Sequence, residues 1–152
     1  MAFDPPASQS LDPPVSRSLD AALALVGDRW ALLIVEALLA GPRRFNELSG
    51  AVPGIASNIL IRRLRQLEQD GVILATPYSR RPLRFRYELT ADGHALAGAL
   101  QMLAAWGERR GGRTPTEIVH ATCGTALEVR LWCSTCARPA DDHESEDGLV
   151  WL

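Results

Sequence analysis

Seven arginines lie between Ser57 and Tyr87, at positions 62, 63, 65, 80, 81, 84 and 86, and only Glu68 and Asp70 oppose them before Tyr87. A guanidinium is a planar fork of donors that matches phosphate oxygens and the acceptor edge of guanine. The arginines fall in two clusters, the first interleaved with Ser57, Asn58, Ile59 and Gln66, the second holding Arg80, Arg81, Arg84 and Arg86. A basic hairpin by itself is more often a solvated face. Next to a helix that carries Asn58 and Arg62, it points to contact with double-stranded DNA.

The C-terminal part holds another chemistry. His120-Ala121-Thr122-Cys123 and Cys133-Ser134-Thr135-Cys136 are two short knuckles of metal-ligand spacing. Three thiolates and an imidazole can close a tetrahedron around a structural Zn2+, as in a zinc ribbon. His143 is a spare candidate for the fourth ligand; the alternative is three reduced, partly buried thiols. A thioredoxin-like pair needs a surrounding βαβ pattern, and none is visible. Nor is there a nucleophile with its base, a pair of carboxylates in an apolar setting, or a phosphate loop, Gly111-Gly112 being too short. No enzymatic activity is expected.

These residues need elements to position them. Leu60, Leu64 and Leu67 recur at helical spacing and predict a helix over 57–70, with Asn58, Arg62, Arg65 and Gln66 on the opposite face. Ser57 can cap its first turn and Gly71 its last. Phe45, Leu48 and Val52 mark a shorter amphipathic helix before it, with Pro53-Gly54 as the turn. After Gly71 the period changes to two: Val72 to Pro77 and Phe85, Tyr87, Leu89 read as strands, with Ser79-Arg80-Arg81-Pro82 at the hairpin tip. This is the outline of a winged helix-turn-helix, in which the long helix enters the major groove and the wing's arginines the minor groove.

Other helices frame the reader. Leu19, Leu23 and Val26 mark a first helix ending near Gly27, and Trp30 to Leu39 a buried one stopped by Gly41-Pro42. A last long helix is predicted from a Thr90 cap to about Arg109, with Asp92 in its first turn. Its stripe Leu96, Leu100, Leu103 and Trp106 could close the monomer core; a homodimer interface shared with the N-terminal helix is favoured. Leu127 to Trp132 alternates like a strand. The fold class expected is mainly α with a small β-hairpin wing and a zinc-ribbon-like β appendage. Its parts are a disordered arm over 1–16, the winged helix over 17–110, and the appendage with an acidic tail over 111–152.

A net charge of -2 looks wrong for a DNA-binding chain. Local potential decides, however, and Asp141, Asp142, Glu144, Glu146 and Asp147 cancel the sum without cancelling the patch. All sixteen basic residues are arginine, a skew that genomic codon bias would also produce. The 47% apolar fraction suffices for one core. No apolar run reaches membrane length, and Met1 to Ser16 lacks the features of a secretion signal, so a cytoplasmic protein with reduced thiols is expected.

The segments Leu25-Val26-Gly27-Asp28-Arg29-Trp30, Gly41-Pro42-Arg43-Arg44-Phe45-Asn46-Glu47-Leu48, Pro53-Gly54-Ile55, Leu64-Arg65-Gln66-Leu67-Glu68 and Tyr87-Glu88-Leu89-Thr90 closely resemble the HxlR family of bacterial transcription regulators, relatives of the MarR winged-helix group. The resemblance covers roughly residues 17 to 108. It implies a homodimeric, sequence-specific DNA-binding regulator, a repressor or an activator. Two-fold symmetry would place its two reading heads on a palindromic operator, and the sequence leaves the identity of any small-molecule effector open. Many members carry a redox-responsive cysteine at the start of the first helix; the matching position here is Arg17, so that chemistry is absent or relocated. Two rival readings stand beside it: an interaction module whose basic surface meets an acidic partner while the ribbon docks to the transcription machinery, and a regulator switched by zinc or thiol oxidation.

Overall fold

The computed structural model describes residues 16–111, 119–128 and 130–140. The expected N-terminal arm up to residue 15, Gly112, the acidic tail and His143 lie outside those residues. The described residues fall into two compact units, 22–128 in one and 16–21 with 130–140 in the other. Among them no helix is long and apolar enough to cross a membrane.

The chain runs through α1 (Arg17–Val26), α2 (Arg29–Leu39), β1 (Arg43–Arg44), α3 (Phe45–Ala51), α4 (Ser57–Gln69), β2 (Ile73–Arg80), β3 (Leu83–Leu89), α5 (Ala91–Ala95), α6 (Ala97–Gly111), β4 (Leu131–Cys133) and β5 (Arg138–Ala140). The core of the larger unit joins Ile34, Val35 and Leu38 of α2, Leu48 of α3, Leu60, Leu64 and Leu67 of α4, Ile73 of β2 and Leu89 of β3. The leucine stripe of α4 is thus wholly buried, and its charged face is left outside. This is the expected helix-turn-helix with its wing.

Asp28 starts α2: its Oδ1 accepts from the backbone N–H groups of Trp30 and Ala31 at 3.0 and 3.4 Å. The N-cap of α4 is Ala56, without a side-chain bond, and Ser57 is the first helical residue, one place later than a capping role requires. At the other end Gly71 adopts φ +72°. The N–H of Gly71 reaches Glu68 O and that of Val72 reaches Leu67 O. This left-handed closure satisfies the last carbonyls of the helix and aims the chain into β2.

The wing is longer than the alternation suggested, and a third strand joins it. The sheet order is β1-β3-β2, with Arg43 opposite Tyr87 and Arg44 opposite Arg86. β2 and β3 pair from Ile73 opposite Leu89 out to Arg80 opposite Leu83, with a bulge between Pro77 and Ser79. Two residues of β1 carry no readable period, which is why the sequence alone did not place them.

The single last helix is in fact two. Thr90 does cap the first, accepting from Gly93 N at 3.1 Å and donating to Gly71 O at 2.7 Å. Helix α5 ends at Ala95 with Leu96 as its C-cap, and α6 begins at Ala97. Gly93 lets α5 pack against the backbone just before β2, since a Cβ there would clash with Val72 O. With Gly98 just beyond, two glycines flank the break and weaken helical continuity. Leu96 and Leu100 pack against the core, whereas Met102, Leu103 and Trp106 stay exposed. The stripe read as one interface therefore splits between core and surface.

In the C-terminal region the strand expected over Leu127 to Trp132 is confined to β4, paired antiparallel with β5 through Leu131–Ala140, Trp132–Pro139 and Cys133–Arg138. Val119 and Ala126 form an isolated bridge.

Candidate nucleic-acid interface

Helix α4 presents Ser57, Asn58, Ile61, Arg62, Arg65 and Gln66 to solvent. Asn58, Ile61, Arg62 and Arg65 follow one another at i, i+3, i+4 and i+7, so they form one continuous outward stripe. Ile61 was not among the expected contacts. It is 42% exposed, and its apolar surface is of the kind that packs on a thymine methyl. Gln66 is held to the helix by bonds from its Nε2 to both carboxylate oxygens of Asp70, each 3.1 Å.

Two residues expected to face DNA are turned toward the protein. Ile59 packs against the core. Arg63 lies on the flank that faces α2, where its Nη2 donates to Asp28 Oδ2 at 2.8 Å. Asp28 therefore has two tasks: one oxygen caps α2 and the other ties α4 to it. A leucine stripe resists separation of two helices but resists rolling less well, because apolar contact is non-directional. The buried stripe sets which residues of α4 look outward, and the Arg63–Asp28 pair adds a directional contact between the two helices. Sequence reading could have found it in the Asp at the start of an apolar helix, a capping signal.

On the wing Arg80, Arg81, Arg84 and Arg86 are all exposed. Arg84 and Arg86 stand on the outer face of β3, and Phe85, Tyr87 and Leu89 on the inner. Arg65 and Glu68 of α4 come close to Tyr87. Burial and the Glu68 carboxylate push its phenol pKa up, and Arg65 partly opposes them. Arg43 and Arg44 add two cations that the sequence reading left out of the site. Arg43 donates from Nε to Ala37 O at 2.7 Å and so serves the end of α2. Arg44 instead lies with its guanidinium 4.5 Å from the centroid of the Tyr78 ring.

The cysteine knuckles are each ordered locally. His120 Nδ1 lies 3.3 Å from Cys123 Sγ, and the thiol also meets Thr125 Oγ1 at 3.3 Å. Bonds from Thr125, then from His120, lower the Cys123 pKa to about 7. In the other knuckle the backbone N–H of Cys136 donates to Cys133 Sγ at 3.4 Å and lowers the Cys133 pKa. Gly124 and Ala137, which directly follow Cys123 and Cys136, both have positive φ, at 69° and 51°. All three thiols are unbridged. Among the described residues no group of three or more His, Cys, Asp or Glu side chains is gathered as a metal site.

Comparison with known proteins agrees with this geometry. The model of the HxlR-like helix-turn-helix family matches residues 25–115. Rv3095 of Mycobacterium tuberculosis, described as an HTH-type transcriptional regulator, is 40% identical over 118 residues, 76% of this chain and 74% of its own. The crystal structure of YtcD, an HTH-type regulator of Bacillus subtilis, superposes with a TM-score of 0.58 at 38% identity, covering 62% of this chain and 97% of its own. The reduced form of the transcriptional regulator YodB from B. subtilis gives a TM-score of 0.55 at 31% identity, covering 66% of this chain and 98% of its own. These relatives are transcriptional regulators and not enzymes, and the chain belongs to the HxlR-like helix-turn-helix family.

Proposed function

We propose that this protein is a homodimeric, sequence-specific regulator of transcription, acting in the cytoplasm as a repressor on a palindromic operator. The observation that carries the reading is the outward stripe of α4, where Asn58, Ile61, Arg62 and Arg65 stand free of the core on a helix whose opposite face is wholly buried. Asn58 and Arg62 have the donors and acceptors that read adenine and guanine in the major groove. Ser57 and Gln66 flank them. Arg80 and Arg81 at the wing tip, with Arg84 and Arg86 behind, suit the minor groove and its bordering phosphates. Arg63, held by Asp28, acts by positioning the helix.

The dimer reading rests on apolar surface. Leu23 and Leu25 of α1 and Met102, Leu103 and Trp106 of α6 are each about half exposed. A second copy is the occupant we assign to it, because two-fold symmetry would set two α4 helices one DNA turn apart. We assign His120, Cys123, Cys133 and Cys136 as ligands of one structural Zn2+. The support is local: each knuckle closes with a positive-φ residue directly after its second ligand, and each has a thiol whose pKa is lowered by hydrogen bonds.

Selection of bound duplexes from a random-sequence pool tests the main reading. Enrichment of an inverted repeat whose binding weakens steeply with salt supports it. No enrichment, with retention on an acidic protein matrix only, would favour an interaction module instead.

A further inference from the structure

The wing sheet carries a like-charge pair that the free protein does not satisfy. Arg44 of β1 and Arg86 of β3 are direct cross-strand partners, and both are exposed. Directly opposed residues stand about 5 Å apart at Cβ, and like charges there are destabilising. No ion pair to Arg44, Arg84 or Arg86 occurs among the described residues. The nearest acids are Glu47, whose Oε2 accepts from the backbone N–H of Arg44 at 2.6 Å without pairing with its guanidinium, and Glu88, two residues beyond Arg86 and opposite Leu74 on β2.

The guanidinium of Arg44 is also aimed. Its stacking partner Tyr78 belongs to β2, and β3 lies between β1 and β2. The Arg44 side chain must therefore reach across the middle strand, over the row that holds Arg86. Tyr78 can meet it because it falls in the bulge between Pro77 and Ser79 and has no partner of its own on β3. A bulge frees a side chain from strict alternation and re-aims it. The contact holds the guanidinium over the ring, and a cation–π contact leaves N–H donors of the guanidinium available.

We infer that Arg44 and Arg86 together hold one phosphodiester of the DNA backbone, with Tyr78 positioning Arg44. This deepens the DNA-binding reading and rests on it. A phosphate between the two forks removes their mutual repulsion, accepts from both, and needs no base identity. The contact fixes the wing's register on the duplex.

The test is the salt dependence of binding to a random-sequence 30-base-pair duplex, which needs no knowledge of the operator. Each phosphate neutralised contributes a slope of about 0.9 in log affinity against log salt. Arg44→Met and Arg86→Met each leave one guanidinium on the phosphate, so each should weaken binding a few-fold while the slope changes by well under one unit. The double variant should lose about 0.9, because both residues serve one phosphate. Between 50 and 200 mM salt this makes the double variant about 3.5-fold less salt-sensitive than the parent. Arg44→Lys keeps the charge and should keep the slope, which separates loss of contact from loss of fold. Tyr78→Leu should weaken binding a few-fold at unchanged slope. An unchanged slope in the double variant, or a double variant that loses two units, overturns the shared site while leaving the DNA-binding reading intact. A parent protein that shows no salt-dependent retention of any duplex overturns both.

Discussion

Removing the charge of Asp28 while keeping its cap isolates what holds the reading helix in place. In Asp28→Asn an amide oxygen can still accept from the N–H groups of Trp30 and Ala31, but the ion pair to Arg63 is gone. The pair is 2.8 Å long, and its side chains are 26% and 32% exposed. That places it between an exposed ion pair, about 0.2–1 kcal/mol, and a charged hydrogen bond in a shielded site, about 1.5–3 kcal/mol. About 1 kcal/mol follows for Asp28→Asn, and the same for Arg63→Met. Asp28→Ala loses the cap as well, which adds about 1 kcal/mol and brings the total to about 2. Urea unfolding of the three variants and of Asp28→Asn combined with Arg63→Met measures these terms, and 1 kcal/mol corresponds to about 4–8 °C in Tm for a domain of this size. The double variant should cost little more than either single one, because both remove the same pair. If Asp28→Asn is as damaging as Asp28→Ala, or if the two single losses add in full, the division of labour between the two oxygens is wrong.

Arg62→Ala should flatten the preference between a selected duplex and its scrambled version by about 1–3 kcal/mol; parallel losses on both duplexes would make Arg62 a phosphate contact. Charged replacements at Leu103 and Trp106 should yield monomers that bind a half-site weakly, and sedimentation of the parent protein as a monomer at micromolar concentration would remove the dimer. Elemental analysis of protein purified without added metal should find one zinc per chain, with Cys133→Ser abolishing it and leaving the unfolding of the winged helix unchanged. Substoichiometric zinc in the parent would mean ordinary thiols.

Elements with a periodic or chemical signal are legible along the chain. Leu60, Leu64 and Leu67 define α4 because a helix must bury one face, and the alternation from Phe85 to Leu89 defines β3 because a half-buried strand must alternate. Gly71 and Thr90 mark helix ends because a left-handed closure and a hydroxyl cap have few substitutes. The family, too, was legible in local motifs. Contacts that sequence distance conceals emerge only once the chain is folded. Arg63 reads as one more outward arginine until Asp28, 35 residues away, is folded against it. Arg44 acquires its role only when β1 joins the sheet opposite Arg86. The stripe Leu96, Leu100, Leu103 reads as a single face, but Leu96 and Leu100 pack against the core while Leu103, farther along α6, is left outside. Periodicity reports that a side chain must be buried; only packing reports against what.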